Sequence, residues 1–239
     1  MRSYFSATRH PWSSFLFLLP LLAAYEGGVV WIGGDRAEQL RNGADAWLRW
    51  ALESFGGNHV LLVPALLVLL LLAWSWWRWA DRPVDPVRTW FGMVFESGAW
   101  AFALWQFSQN FGPLVDRLGI KLEITIQTGT AARAITFIGA GIYEEVIFRL
   151  GLFVLLFHLL RILSIPLLAA VLLASVGASL GFAAAHHIGP YGEAMNPYVF
   201  LFRALAGLYF TILFVARGFG IAVGAHAGYD VLVGLNVGG

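Results

Sequence analysis

Long apolar stretches recur along the whole chain, and they constrain its fold more than any other feature. Hydropathy marks about seven of them, and a helix of about 20 residues is long enough to cross the hydrocarbon core of a bilayer. The stretches cover 12–32, 60–77, 87–107, 131–160, 166–187, 197–217 and 219–237. The chain is 59% hydrophobic and 12% charged, whereas soluble domains contain about 45–50% apolar and about 25% charged residues. The sequence therefore predicts an all-α fold, a polytopic membrane helix bundle of about seven transmembrane helices.

The polar segment 35–56 interrupts this pattern early in the chain. Its apolar positions include Trp47 and Trp50, and we interpret the segment as an amphipathic helix that lies on the surface. Together with about three spans it makes up an N-terminal membrane region, residues 1–130. The remaining residues, 131–239, form a membrane core of about four helices.

The ends of the apolar stretches indicate where the protein resides. Arg2 and Arg9 precede the first stretch, as the basic residues of a signal peptide do. Because the apolar run continues to Trp31 without a small-residue cleavage site, we favour a retained first span. The distribution of basic residues between alternate loops is mildly biased towards a cytoplasmic N-terminus. Without an obvious organellar signal, we expect a multi-pass integral protein of a prokaryotic inner membrane.

Composition also excludes several classes of function. The formal net charge of +1 gives no indication of nucleic-acid binding. The chain has no cysteine, which excludes a thiol nucleophile, a disulfide and a thiolate metal site. The one partner that composition indicates is the lipid bilayer.

Three charged side chains, Glu144, Glu145 and Arg149, lie within six positions of the fourth apolar stretch. A charge at bilayer depth costs about 2.5–3.5 kcal/mol on insertion scales, so such groups pair or line a polar cavity. Glu145 and Arg149 are four positions apart on one helix face and can neutralise each other. Glu144 is rotated from Glu145 by about 100° and remains available to bind a water or a proton as a general base. The alternative is that all three form a structural charge cluster.

Two histidine motifs follow in later stretches. Phe182 and His186 are four positions apart near the end of the fifth stretch, where an interfacial histidine is the alternative interpretation. His226 and Asp230 have the same spacing in the last stretch, on roughly the opposite face from a stripe of glycines that allows close helix packing. A buried imidazole beside a carboxylate is costly unless it is used. Asp230 is therefore expected to orient His226 or to hydrogen-bond a substrate, unless the pair only fixes helix packing.

Other charged residues also fall within apolar stretches. Glu26, Glu96 and Arg203 are interpreted as structural, pairing with one another or neutralising Arg149.

The three motifs together resemble a known family. Glu-Glu-x-x-x-Arg from Glu144, then Phe-x-x-x-His from Phe182, then His-x-x-x-Asp from His226 are similar, in this order, to the CAAX prenyl protease and bacteriocin-processing (CPBP) family. Its members are intramembrane proteases of the type II CAAX endopeptidase kind, also called abortive-infection proteins. The resemblance covers about residues 131–237, which it marks as the catalytic core, whereas the first 130 residues resemble no family.

The resemblance implies catalytic roles for three residues. Glu144 would activate the attacking water with assistance from His186, and His226 would stabilise the oxyanion of the tetrahedral intermediate. We expect these three side chains to converge in one water-filled cavity. By the rise per residue, however, His186 would lie near the outer end of its span, whereas Glu144 would lie about 20 Å below that face.

The remaining motif residues would support the site. Glu145, Arg149 and Phe182 have supporting roles by the resemblance. Family members often carry asparagine four residues after the last histidine, whereas this chain carries Asp230. Because an ionised aspartate cannot donate a hydrogen bond to the oxyanion, either Asp230 is protonated or it orients His226 so that the imidazole donates alone, and we place Asp230 behind His226.

The resemblance thus predicts an intramembrane endopeptidase that hydrolyses a peptide bond of a membrane-associated or exported protein or peptide. Glutamate-activated water would be the nucleophile, and no cofactor is expected. A zinc-dependent variant, less favoured because the chain has no HExxH motif, would use Glu144, His186 and His226 as metal ligands.

Two functions of other classes remain open. A non-catalytic immunity or scaffold protein would retain the fold without the chemistry. A proton-coupled transporter would need a relay of buried carboxylates. The candidates for this relay are Glu26, Glu96, Glu144 and Asp230.

Overall fold

A computed structural model describes residues 4–54, 56, 61–117, 131–188 and 192–236, and every regular element within these ranges is helical. The α-helices are α1 (Tyr4–Thr8), α2 (Pro11–Gly33), α3 (Gly43–Glu53), α4 (Leu62–Trp77), α5 (Pro86–Arg117), α6 (Ala131–Glu145), α7 (Val154–Ile162), α8 (Leu167–Ala185), α9 (Pro197–Arg217) and α10 (Phe219–Asn236). Two 3-10 helices, Gly34–Leu40 and Trp79–Asp81, and a π-helical segment, Val146–Phe153, complete the described elements.

The helices coincide with the apolar stretches of the sequence and form an integral membrane bundle, as predicted. Three of the described helices, α2, α8 and α9, are long and apolar enough to cross a membrane by length and composition. Helix α4 and the segment Phe219–Gly234 of α10 are apolar but shorter. Two predictions lie outside the described residues. One is the domain boundary after residue 130, which adjoins the segment 118–130. The other concerns Arg2, which precedes residue 4.

Helix α10 occupies the centre of the bundle, where it packs against α2, α5, α6 and α9. Its glycine stripe allows this packing, as the sequence predicted. A Cβ on Gly224 would lie 2.5 Å from the Ser97 hydroxyl of α5 and 2.8 Å from the Phe17 ring of α2. On the side towards α6, a Cβ on Gly141 would lie 2.6 Å from the Cβ and backbone N of Ala227. These close approaches leave His226 directed towards the charged residues of α6.

One long helix carries the acidic motif, because α6, the π-helical segment and α7 follow one another without a break. Helix α7 ends at Ile162, and α8 begins at Leu167. Glu144 lies 18 residues before the end of α7, and Ala185 lies 18 residues after the start of α8. At about 1.5 Å per residue, Glu144 and the end of α8 therefore lie at the same level. The sequence predicted different depths for His186 and Glu144. This prediction was wrong, because α6 extends beyond the level at which α8 ends.

The segment 35–56 is not a single surface helix, and in this respect the prediction was wrong. It divides into the 3-10 helix and α3, and its buried residues include Arg41 and Asp45, whereas Trp50 is 71% exposed. Arg41 is buried because α2 offers it a carboxylate, that of Glu26. Arg41 forms ion pairs with Glu26 (3.3 Å) and with Asp45 (2.8 Å).

The close contact between α6 and α10 gives a stability prediction. Gly141→Ala should lower the free energy of unfolding by about 1–3 kcal/mol, the usual cost of overpacking a close contact. Thermal unfolding in detergent measures the change.

Gly98→Ala in α5 is the matched control, because a Cβ on Gly98 meets nothing within 4 Å. That variant should gain up to about 1 kcal/mol from helix propensity. Equal unfolding temperatures for the two variants would contradict the packing described for α6 and α10.

Candidate active site

Glu144 stands between two histidines that come from different helices. Its Oε2 atom lies 3.8 Å from Nε2 of His186 and 3.8 Å from Nε2 of His226. Glu144 ends α6, His186 follows the last residue of α8, and His226 lies within α10. The structure thus brings together the three residues predicted to be catalytic, and a single atom bound to Oε2 of Glu144 would be within reach of both imidazoles.

A second layer of charged groups lies behind this triad and is fully buried. His226 Nδ1 is 2.8 Å from Oε1 of Glu145, and Oε2 of Glu145 is 3.0 Å from Nε of Arg149. The exposed fractions of the Glu145 and Arg149 side chains are 0% and 1%. Arg149 also donates from Nη2 to the carbonyl of Gly207 in α9, at 2.9 Å. The pairing of Glu145 with Arg149 follows the spacing in the sequence, whereas the bonds to α9 and α10 come from tertiary packing.

Aromatic rings enclose the charged groups. Phe182 contacts the rings of His186 and His226, with centroid distances of 4.9 and 5.8 Å, and lies 5.0 Å from the Arg149 guanidinium. Phe210 stacks on His226 at 4.4 Å with an interplanar angle of 14°. The sequence motif identified Phe182, but no spacing distinguishes Phe210 among the 19 phenylalanines of the chain.

The hydrogen bonds of the two histidines assign their ring protons. His186 Nδ1 is 2.8 Å from the carbonyl oxygen of Phe182, which only accepts, so Nδ1 carries a proton and donates it. In the neutral ring, Nε2 of His186 is then an acceptor facing Glu144. His226 Nδ1 donates to the Glu145 carboxylate by the same argument. Each imidazole is therefore held from behind while its Nε2 atom faces Glu144.

Asp230 lies close to His226 but does not hold its Nδ1 proton, which Glu145 accepts. Oδ2 of Asp230 is 3.6 Å from Nε2 of His226, longer than a direct hydrogen bond. It approaches the nitrogen that also faces Glu144, so the orienting role expected for Asp230 falls to Glu145 in this arrangement.

A cavity of about 130 Å³ lies beside Glu144, with room for several water molecules. It is lined by residues of α3, α6, the π-helical segment and the end of α8, together with the segment that follows α8. These residues are Gly43, Ala44, Trp47, Glu144, Phe148, Ala185, His186, Ile188 and Glu193. His226 is not among the described residues that line it, since its side chain is only 4% exposed and lies at the buried side of Glu144.

Glu193, between α8 and α9, lines the cavity and is held by an ion pair. Glu193 Oε1 lies 2.8 Å from Nη2 of Arg203 in α9, and the backbone N–H of Glu193 donates to the carbonyl of His186 at 2.9 Å. The hydrogen-bonded Arg203 guanidinium lowers the pKa of the Glu193 carboxyl. Arg203 was expected to be structural and to pair with Glu26 or Glu96, whereas in the structure it pairs with Glu193.

The carboxylates of Glu26 and Glu96 belong to separate clusters. Glu26 accepts a hydrogen bond from Tyr143 at 2.7 Å and pairs with Arg41. Glu96 pairs with Arg217, whose Nη2 donates to it at 2.8 Å. The expectation that these residues pair with one another or neutralise Arg149 was wrong within the described residues, because each finds an arginine nearer to it.

The donor set also bears on metal binding. Histidines that bind zinc donate their second ring nitrogen to a carboxylate or a backbone carbonyl, and His226 and His186 both do so. Nevertheless, no group of three or more His, Asp or Glu side chains within the described ranges is arranged to hold a metal ion. The residue types and the hydrogen bonds of the two histidines thus suit a metal ion, whereas the present spacing of the side chains does not.

Comparison with known proteins supports the resemblance seen in the motifs. Residues 126–232 match the family model described as type II CAAX prenyl endopeptidase Rce1-like. The matched segment contains all the predicted site residues and begins just before α6. No curated protein and no solved structure gives a significant match.

The buried ion pair gives a second stability prediction. Arg149→Met should lower the free energy of unfolding by about 3–5 kcal/mol, because it leaves the Glu145 carboxylate buried without its cation. The double variant Glu145→Gln with Arg149→Met should recover part of this loss, as measured by thermal unfolding in detergent.

Arg161→Met is the matched control, since Arg161 is an exposed arginine on the same continuous helix. An Arg149→Met protein that is as stable as the Arg161→Met protein would show that the pair does not hold the helices together.

Proposed function

Because residues 126–232 carry a type II CAAX prenyl endopeptidase Rce1-like domain, we propose that this integral membrane protein is an intramembrane endopeptidase that uses Glu144 to activate water. It hydrolyses a peptide bond of a membrane-associated or exported protein or peptide. The observation that carries the proposal is the position of one Glu144 oxygen, 3.8 Å from the Nε2 atoms of both histidines and at the edge of a cavity that has room for water.

The attacking water binds between Glu144 and His186. Both Oε2 of Glu144 and Nε2 of neutral His186 are acceptors that face each other at 3.8 Å. Two acceptors at this separation repel each other unless a donor lies between them, and a water molecule donates one hydrogen to each. This orientation directs a lone pair of the water oxygen away from both groups and towards the substrate.

The reaction then proceeds by general acid–base catalysis. The water oxygen forms a bond to the carbonyl carbon as one water proton moves to Glu144, and the carbonyl oxygen becomes an oxyanion. Glu144 next gives the proton to the leaving nitrogen as the C–N bond breaks, which yields a carboxylic acid and an amine. The carboxylate is thereby regenerated for the next cycle.

His226 stabilises the oxyanion in this mechanism. Since its Nδ1 already donates to Glu145, its Nε2 atom can donate only when the ring carries both protons. The carboxylates of Glu144, Glu145 and Asp230 surround such an imidazolium. Preorganised donors of this kind contribute about 2.7–4 kcal/mol to transition-state stabilisation. Asp230 thus serves as a counter-charge to the His226 imidazolium, a role that does not require Asp230 to donate a hydrogen bond.

A zinc-dependent form of the same reaction is the second candidate. It is favoured by the hydrogen bonds that Nδ1 of each histidine makes while Nε2 faces Glu144. Glu144, His186 and His226 would hold the ion. Zinc in such a site acidifies a bound water and polarises the substrate carbonyl.

The alternatives outside proteolysis fit the structure less well. A proton relay needs neighbouring carboxylates, whereas Glu26 and Glu96 are each paired with an arginine in clusters of their own. A scaffold protein would have no use for a carboxylate that faces two imidazole nitrogens beside a cavity, which is the position of Glu144.

Substitution of Glu144 tests the proposal. Glu144→Gln retains the size of the side chain but cannot accept the water proton, and it should lower the rate of proteolysis by about 10²–10⁴-fold. The measurement compares membrane proteomes of cells that express either the native chain or the variant, with cleavage sites mapped by mass spectrometry.

Glu53→Gln, at the exposed end of α3, is the control and should leave cleavage unchanged. A cleavage pattern that is identical with and without Glu144 would favour a scaffold role and contradict proteolysis.

A chelator separates the two forms of the reaction. We expect proteolysis by the purified chain in liposomes to persist after extensive treatment with EDTA, since Glu144 and His186 alone suffice to activate water. Complete loss of cleavage that zinc restores would instead establish the metal-dependent form, in which the same three residues are ligands.

A further inference from the structure

Helix α3 forms part of the wall of the active-site cavity, although it lies far outside the segment that matches the protease family. Gly43, Ala44 and Trp47 line the cavity together with Glu144 and His186. Hydropathy assigns α3 to the protein surface, yet the side of the helix that bears these residues faces the candidate catalytic carboxylate. A substrate in this cavity would therefore contact the N-terminal region.

The position of α3 is fixed by buried ion pairs. Asp45 is completely buried and pairs with Arg41 and with Arg49, at 2.8 Å in each case. Tyr25 of α2 donates a hydrogen bond to the same carboxylate at 2.9 Å. Rotation of α3 would separate Asp45 from Tyr25, and would separate Arg41 and Arg49 from Glu26 of α2. The side chains that α3 presents to the cavity are thus held in place.

The same cluster connects α3 to the candidate catalytic residue. Glu26 pairs with Arg41 and accepts a hydrogen bond at 2.7 Å from Tyr143, the residue that precedes Glu144. The distance between the α3 wall and the Glu144 carboxylate is therefore determined by a continuous set of buried polar contacts rather than by a flexible surface helix.

The size of the side chains on this wall limits what the cavity accepts. Trp47 is the largest residue that lines it, whereas Gly43 leaves space, because a Cβ built on Gly43 meets nothing within 4 Å. With a volume of about 130 Å³, the cavity holds the attacking water and a small substrate side chain.

We propose that Trp47 is a specificity-determining residue, which with Gly43 restricts the cavity to small side chains next to the scissile bond. This inference rests on the proposed function. Removal of the indole enlarges the cavity and admits bulky side chains, whereas a larger residue at position 43 narrows it. One methylene in an apolar pocket changes discrimination by about 10–200-fold, so both changes should be large.

The test uses the full-length chain in cells and reads the residues that flank each cleavage site in the membrane proteome. Sites are assigned to this protein when they disappear in the Glu144→Gln variant. In Trp47→Ala, the ratio of cleavage at large residues to cleavage at small residues should rise by about tenfold or more. In Gly43→Leu, the same ratio should fall.

Trp50→Ala is the matched control, because it removes the same side chain from α3 at a position that is 71% exposed and does not line the cavity. It should cleave as the native chain does, and thermal unfolding should show that each variant is folded. Should Trp47→Ala fail to fold, Gly43→Leu still decides the matter, since its side chain enters open space.

Three outcomes oppose the inference and can be told apart. An unchanged residue preference in Trp47→Ala and Gly43→Leu, with Glu144-dependent cleavage retained, overturns the specificity role alone. An equal shift in Trp50→Ala overturns it as well, because the effect would then not come from the cavity. Absence of any Glu144-dependent cleavage in the native chain overturns the proposed function itself.

Discussion

The buried ion pair between Glu145 and Arg149 is the interaction on which the arrangement of the candidate site depends. Burial costs each ion several kcal/mol, and the attraction between the two charges, together with further hydrogen bonds, offsets part of this cost. Here Glu145 accepts from His226 of α10, and Arg149 donates to the Gly207 carbonyl of α9 and lies over the Phe182 ring of α8. Three helices are thus held against the fourth by one pair. The charge of Glu144 is not needed for this neutralisation, which leaves that carboxylate available for chemistry.

Close helix packing supplies the second condition for the site. Because glycines of α10 meet α2 and α5, this helix lies deep in the bundle, and His226 reaches the carboxylates of α6. The π-helical segment begins immediately after Glu145. Such segments shift the register of a helix and occur frequently at functional sites. The change in backbone geometry therefore coincides with the candidate catalytic residues.

Part of this arrangement could be predicted from the sequence. The four-residue separation of Glu145 and Arg149 predicted their ion pair, and the resemblance of the three motifs to a known family predicted that Glu144 would meet two histidines. The presence of Phe210 and α3 beside the site could not be predicted, since their positions depend on contacts between distant elements. Hydropathy also misjudged the buried face of α3, because the partner that makes burial of Arg41 favourable, Glu26, lies on another helix. The prediction that Asp230 orients His226 rested on spacing alone, whereas in the structure Glu145 accepts the hydrogen bond from Nδ1 of His226.

The N-terminal region also contacts the candidate site through buried polar groups. Without α2, the hydroxyl of the buried Tyr143 would lose Glu26, its acceptor, beside the candidate catalytic carboxylate. A buried donor without an acceptor costs about 1–3 kcal/mol. Without α3, the cavity would lose the wall that Trp47 provides. The segment that matches the family model thus contains the candidate catalytic residues, while α3 lines the cavity beside them. Differences in substrate preference between proteins that share these motifs would then arise outside the matched segment, where the motifs give no information.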